Sequence, residues 1–295
     1  MEGSGKISSH RKQHWAAVSV RLIMTQLVIG LTIVAMGTSA PEAAVSINAS
    51  LKANSGIAIG NVVGSNILNI LIILGISALL STIAIQKSTM RYEMPYMIFV
   101  TIILIVLGMT GSYVTRMEGV ILWILFLAYL AYLFYLAKSG IEEESVEDRS
   151  TLKLLLYMIG GGVIVVWGSD ITVDSATAIA QMIGLSERFI GLTIVALGTS
   201  LPELVTSVVA AKKGNADIAI GNIVGSNIFN ILFVIGTAAL ISPVLYDPAF
   251  LFDGIIAVLA GVLLWVSVLK TKSLRKPWGI VFLLCYGAYL VYLMV

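Results

Sequence analysis

Two glutamates, Glu42 and Glu203, stand inside long apolar runs, in GTSAPEAAVSI and GTSLPELVTSV. A carboxylate at membrane depth costs roughly a few kcal/mol even on lenient insertion scales, so something must compensate for it. No Lys or Arg lies within either stretch, which leaves a bound metal ion or a proton as the natural partner. Small oxygen-bearing groups accompany each glutamate: Thr38, Ser39, Ser65, Asn66 and Asn69 with the first, Thr199, Ser200, Ser226, Asn227 and Asn230 with the second. Carboxylate, hydroxyl and amide oxygens are hard ligands that suit Ca²⁺ or Na⁺. Neither Cys nor His occurs in these segments, which argues against zinc, copper or iron.

Thr38 and Glu42 are four residues apart, as are Ser65 and Asn69, Thr199 and Glu203, and Ser226 and Asn230, a spacing that expects each pair on one helical face. The Ser, Thr and Asn set has a second reading, as interhelical hydrogen bonds and small-residue packing in a membrane bundle. Gly60, Gly64, Gly221 and Gly225 read first as close helix packing and second as exposed carbonyls. Asp170, in WGSD, is a further acidic candidate, read as interfacial.

These residues recur as blocks. IGLTIVAMGTSAPE at Ile29–Glu42 returns as IGLTIVALGTSLPE at Ile190–Glu203, and IAIGNVVGSNILNIL at Ile57–Leu71 returns as IAIGNIVGSNIFNIL at Ile218–Leu232. Both blocks keep one offset of 161 residues, the mark of duplication. Gly37 with Pro41, and Gly198 with Pro202, mark helix interruptions, because proline removes a backbone donor and leaves carbonyls free to meet a cation.

The elements that must position these groups are membrane helices. Apolar residues make up 58% of the 295 and charged residues 12%, with a mean hydropathy of +0.99, where a soluble domain carries about 25% charged residues. Spans are expected near 18–51 (broken at Pro41), 56–81, 94–112, 119–138, 153–180, 189–211, 218–242, 251–270 and 277–295, nine in all. Continuous apolar runs rather than alternating ten-residue segments predict a helix bundle and not a barrel. Five spans separate equivalent points of the two copies, an odd number, so the copies cross the membrane in opposite directions. Such inverted repeats are a common plan of secondary transporters, with the substrate site near the midplane.

Loop charges orient the chain. Arg11, Lys12, Lys87, Arg91, Lys138, Arg149, Lys153, Lys212, Lys213, Lys270, Lys272, Arg275 and Lys276 fall on one side, against little beyond Lys52, Arg116 and Arg188 on the other. The N-terminus is therefore expected inside and the C-terminus outside. The expected organisation is a basic cytoplasmic tail at 1–17, a first repeat at 18–138, an acidic cytoplasmic linker at 139–152 and a second repeat at 153–295. The single cysteine, Cys285, reads as a small hydrophobe. His10 and His14 fall in the basic tail, and nothing points to covalent catalysis, a nucleotide site or nucleic-acid binding, so no enzyme and no cofactor are expected.

The doubled pattern GTS-x-PE followed by GN-x-VGSN-x-x-N resembles the α-repeats of the sodium/calcium exchanger family within the calcium/cation antiporters, especially its short prokaryotic members. The resemblance covers nearly the whole chain. It implies an all-α inverted 5+5 helix repeat that exchanges about three Na⁺ for one Ca²⁺ through a central site, in a prokaryotic cytoplasmic membrane, as a monomer or weak oligomer. Carried onto matching positions, it implies Glu42 and Glu203 as carboxylate ligands. Thr38, Ser39, Thr199, Ser200, Ser65, Ser226, Asn69 and Asn230 join them, with carbonyls near Ala35 and Ala196. Asn230 stands where some members have an aspartate that accompanies potassium dependence, so potassium independence is expected. A shift of 161 sets residues 162–180 against the polar residues 1–19, so the first helix is expected to be missing or incomplete and nine helices to remain. A Ca²⁺/H⁺ exchanger, a passive cation channel and a transport-inactive truncated fragment stand as the alternative readings.

Overall fold

The computed structural model describes residues 26–52, 54–139 and 184–294, with isolated positions between 160 and 182. The chain there is helical, and its only strands are four two-residue segments. Helix α1 (Gln26–Thr38) bends by 46° into α2 (Ala40–Leu51), followed by α3 (Ser55–Leu80), α4 (Thr89–Gly111) and α5 (Arg116–Ser139). In the second half α6 (Arg188–Thr199) bends by 48° into α7 (Leu201–Lys212), followed by α8 (Ala216–Ile241), α9 (Phe250–Leu269) and α10 (Lys276–Met294). Six of these are long and apolar enough to cross a membrane, or eight spans if each bent pair is one. All eight match expected spans. The expected span 153–180, the start of the first span, the acidic run and Asp170 fall outside the described residues, apart from scattered positions within 153–180.

The breaks fall at Ser39 and Ser200, two residues ahead of the prolines to which the sequence assigned them. Pro41 and Pro202 sit in the first turn of α2 and α7, where a backbone N–H has no intrahelical partner to lose and the fixed φ suits a helix start. Asn54 starts α3 by accepting a 3.1 Å hydrogen bond from the Ile57 amide, the ordinary N-cap arrangement. Gly214, at φ +80, ends α7 in the left-handed conformation that glycine adopts without a Cβ clash.

Strand pairing fixes the inversion. β1 (Ile83–Ala84) pairs antiparallel with β4 (Ser273–Leu274), and β2 (Tyr113–Val114) pairs antiparallel with β3 (Val244–Leu245). Helix α4 runs from the β1–β4 ribbon to the β2–β3 ribbon, and α9, its repeat equivalent, runs from β2–β3 back to β1–β4. Equivalent helices therefore point in opposite directions, and each ribbon ties a loop of one half to a loop of the other.

Glycines set how closely the halves approach. A Cβ on Gly64 would lie 2.5 Å from the Leu192 carbonyl oxygen, and one on Gly225 would lie 2.7 Å from the Leu31 carbonyl oxygen. Neither distance is possible for a real side chain, so α3 lies directly on α6 and α8 directly on α1. Each broken helix is thus seated against the long helix of the opposite repeat. The packing reading of these glycines holds. Wide π-turns at Gly30–Val34, Asn69–Leu74, Gly191–Val195 and Asn230–Ile235 interrupt the same four helices, a distortion that often accompanies functional sites.

Candidate ion-binding site

Glu42 and Glu203 begin α2 and α7 and are completely buried. Each takes a hydrogen bond from the opposite half. Ser39 Oγ donates to Glu203 Oε1 at 2.8 Å, and Ser200 Oγ donates to Glu42 Oε1 at 2.9 Å. Ser226 Oγ also lies 3.3 Å from Glu203 Oε1 and 3.4 Å from the Ala35 carbonyl oxygen, joining α8 to both broken helices. Each also stands in the first turn of its helix, where free backbone N–H groups favour an anion.

A second reciprocal layer holds this crossing in place. Thr38 Oγ1 donates to Asn222 Oδ1 at 2.9 Å, and Thr199 Oγ1 donates to Asn61 Oδ1 at 3.0 Å. Asn61 Nδ2 donates to Ser46 Oγ at 2.8 Å and to the Glu42 carbonyl at 3.3 Å; Asn222 repeats this with Ser207 at 2.9 Å and the Glu203 carbonyl at 3.4 Å. Each asparagine therefore fixes the start of its own glutamate helix while accepting from the opposite half. Asn61 and Asn222 were missed as functional residues by sequence reasoning, although both belong to the duplicated GN-x-VGSN block. Along the axis between the halves, Asn66 and Asn227 exchange Nδ2–H bonds to each other's backbone carbonyls, both at 3.1 Å. Asn69 donates to Asn227 Oδ1 at 3.0 Å, and Asn230 to Asn66 Oδ1 at 3.2 Å.

The structure brings the expected residues together on α1, α2, α3, α6, α7 and α8. Eleven of the twelve are buried (Glu42, Glu203, Ser39, Thr199, Ser200, Ser65, Ser226, Asn69, Asn230, Ala35 and Ala196), and Thr38 is half-buried. The expectation that Thr38 and Glu42 share a helical face does not survive, because the chain bends between them. Thr38 closes α1 and turns to Asn222, whereas Glu42 opens α2 and turns to Ser200. The same division separates Thr199 from Glu203. The Ala35 carbonyl accepts from the Ser39 amide at 3.0 Å as well as from Thr38 and Ser226, so it faces the crossing, and the Ala196 carbonyl accepts from the Ser200 amide and Thr199.

Five buried atoms of this set have no hydrogen-bond partner among the described residues: Glu42 Oε2, Glu203 Oε2, Asn69 Oδ1, Asn230 Oδ1 and Ser65 Oγ. All five are oxygens. Buried acceptors are normally satisfied, since an orphaned one costs about 1–3 kcal/mol and a charged one more. The amide donors of Asn69 and Asn230 are spent on the neighbouring asparagines, which leaves their carbonyl oxygens as acceptors only. Carboxylate, amide and hydroxyl oxygens are hard donors of the kind that suit a cation such as Ca²⁺ or Na⁺.

Two other buried acids lie away from this cluster and were not anticipated. Asp253 makes a two-pronged ion pair with Arg188, at 2.9 and 3.0 Å, and accepts from Tyr289 at 3.0 Å. Glu93 accepts from the Tyr132 hydroxyl.

Known proteins resemble the chain in sequence and in fold. The family model described as sodium/calcium exchanger protein matches residues 12–135 and 153–295. A putative antiporter, CaxA of Alkalimonas amylolytica, is 36% identical over 93% of this chain and 90% of its own length. The sodium/calcium exchanger MaX1 of Methanosarcina acetivorans is 31% identical over 94% of this chain and 91% of its own. Among solved structures, the sodium-calcium exchanger NCX_Mj soaked with Na⁺ and Sr²⁺ superposes with a TM-score of 0.76 at 33% identity, covering 91% of this chain and 87% of that one. With both halves matched by the family model and the inverted helical fold shared with a solved exchanger, the chain belongs to the sodium/calcium exchanger family of membrane antiporters.

Proposed function

We propose that the protein exchanges Na⁺ for Ca²⁺ across a prokaryotic cytoplasmic membrane, using the crossing of α1–α2 and α6–α7 as one site opened alternately to either side. The observation that carries this reading is the set of five unpartnered buried oxygens, two of them on carboxylates. Glu42 and Glu203 supply two negative charges, which one Ca²⁺ neutralises and three Na⁺ exceed by one. Exchange of three Na⁺ for one Ca²⁺ then moves one net charge. Asn230, neutral where an aspartate would add a third negative charge, suits a site that takes no K⁺ in addition.

Each ligand group has a distinct part in this reading. Glu42 and Glu203 are shared by the competing ions. Asn69 and Asn230, opposite each other across the internal axis, offer amide oxygens. Ser39 and Ser200 each lie at a helix break and touch the opposite glutamate, so a change in occupancy at one carboxylate is felt directly by the opposite broken helix. Asn61 and Asn222 act as positioning residues. The positive-inside rule supports an orientation with the β1–β4 ribbon inside and the β2–β3 ribbon and the C-terminus outside.

Reconstituted vesicles test this. An outward Na⁺ gradient is expected to drive Ca²⁺ uptake, with no requirement for K⁺. Uptake that ignores Na⁺ and follows a pH gradient would assign the protein to Ca²⁺/H⁺ exchange instead.

A further inference from the structure

The second half carries one ion pair that the duplication does not copy. Arg188, the first residue of α6, makes its two-pronged contact at 2.9 and 3.0 Å with Asp253 in the first turn of α9, and the Tyr289 hydroxyl on α10 donates to the same carboxylate at 3.0 Å. Asp253 is fully buried, whereas the arginine side chain is 30% exposed. The acid and its tyrosines are repeated. Displaced by 160 residues, the offset beyond the ribbon strands, Glu93, Tyr129 and Tyr132 become Asp253, Tyr289 and Tyr292, and Glu93 also accepts from a tyrosine, Tyr132. The arginine is not repeated. Two residues ahead of the IGLTIV block, which keeps the offset of 161, a buried Leu27 stands where the second half has Arg188.

Both broken helices rest on the opposite repeat through a glycine one turn further on. A Cβ on Gly191 would lie 3.2 Å from the Gly56 carbonyl oxygen, and one on Gly30 would lie 3.1 Å from the Asp217 carbonyl oxygen. The start of α6 therefore has two fixings, a glycine seat on α3 and an ion pair to α9, where the start of α1 has the seat and a leucine. In the orientation proposed above, the start of α6 is its outer end. There Arg188 lines a cavity of ≈ 470 Å³ together with Ser50 at the end of α2, Asn54, Ser55 and Asp247. Between this cavity and the crossing, Val45 of α2 packs against Ile190 and Val195 of α6. An opening of the crossing to this side must part that contact.

We propose that Arg188 is a positioning residue for exchange, acting through Asp253 to hold the outer end of α6 against α9, so that the outer opening is restrained by an ion pair that Leu27 cannot give the inner one. The inference rests on the alternating opening proposed above. A buried carboxylate that loses its cation is left uncompensated, so this pair resists separation more than an exposed one does. The guanidinium fork meets both carboxylate oxygens and so fixes direction as well as distance. The pair is formed here while Glu42 and Glu203 are both buried, so it stabilises the state closed on the outer side. Its removal shifts the population towards states open on that side.

Matched cysteine reporters test this in right-side-out and inside-out membrane vesicles, in the full chain with its exposed Cys285 first replaced by Ala. Ser50→Cys reports the outer side, and Ala211→Cys, its counterpart at the offset of 161 and likewise buried, reports the inner side. Labelling by a membrane-impermeant maleimide is measured from each side. Arg188→Leu combined with Asp253→Asn removes both charges together. It is expected to raise the labelling rate at position 50 about tenfold and to leave the rate at position 211 unchanged. Arg188→Lys keeps the charge and loses the fork, and is expected to give a smaller rise at position 50 alone. Melting midpoints check folding, and if the double variant does not fold, the proposal stands or falls on Arg188→Lys. No rise at position 50 in a folded variant, or equal rises at both positions, overturns the proposal. Reaction of both reporters from both sides before either charge is altered would instead overturn the alternating opening, and the proposal with it.

Discussion

Ser39 donates a 2.8 Å hydrogen bond to Glu203 on the opposite repeat, although Glu42 stands only three residues further along its own chain. The return bond from Ser200 to Glu42 makes the contact reciprocal, so neither carboxylate is held by its own half alone.

This crossing can be measured by a double-mutant cycle on Ca²⁺-induced thermal stabilisation. Combining Ser39→Ala with Glu203→Gln is expected to show coupling of about 1–3 kcal/mol, the range for hydrogen bonds to charged groups and contacting residues. Ser39→Ala with Glu42→Gln is expected to show a smaller coupling. The reverse order would mean that the serines serve their own repeat.

The glycines at the α3–α6 and α8–α1 contacts predict a graded stability series. Gly64→Ala and Gly225→Ala force backbone apart and are expected to cost about 1–3 kcal/mol or more, read as a lowered melting midpoint. Gly37→Ala, at a position where an added Cβ meets nothing within 4 Å, is expected to leave the midpoint nearly unchanged.

Asn61 and Asn222 predict a positioning effect. Asn61→Ala removes the acceptor of Thr199 and the donor to Ser46 and to the Glu42 carbonyl. A loss of about 1–3 kcal/mol in stability is expected from the buried groups left unpaired. Because Asn61 acts in the proposed mechanism by keeping a helix start in place, the same variant is expected to retain exchange at a reduced rate, whereas Glu42→Gln is expected to abolish it. Vesicle flux and melting measured on both variants check the distinction.

Much of this was legible because membrane helices advertise themselves by length and apolarity, and the duplicated blocks carried Glu42 and Glu203 with their hydroxyl and amide neighbours. The inversion followed from span parity and is seen directly in the opposed directions of α4 and α9. Other features depended on geometry that spacing does not encode. Thr38 and Glu42 sit at a helical interval, yet the bend at Ser39 sends them to different partners. Asn61 and Asn222 lay in plain view within a repeated motif, but their bonds to the opposite repeat exist only once α3 and α8 are seated against the broken helices. Arg188 and Asp253 are 65 residues apart, and Glu93 and Tyr132 are 39 apart, with no shared motif to join them.

Net charge movement predicts voltage dependence. If three Na⁺ leave a vesicle for each Ca²⁺ that enters, one positive charge moves outward per cycle, so an inside-positive potential favours uptake. At 100 mV this is worth about 2.3 kcal/mol, or roughly a fifty-fold change in the Ca²⁺ ratio held at equilibrium. Ca²⁺ accumulation in potential-clamped vesicles reads this directly, and a ratio that does not respond to potential would indicate two Na⁺ per Ca²⁺.

In the proposed mechanism Glu42 and Glu203 form one cation site shared by Na⁺ and Ca²⁺. Its most direct test is isotope uptake of Ca²⁺ into sealed vesicles loaded with Na⁺, comparing the unmodified protein with Glu42→Gln and Glu203→Gln. Uptake is expected to require the outward Na⁺ gradient, to persist without a pH gradient or K⁺, and to disappear in both variants. Uptake that continues in either variant, or that proceeds without Na⁺ inside, would contradict it.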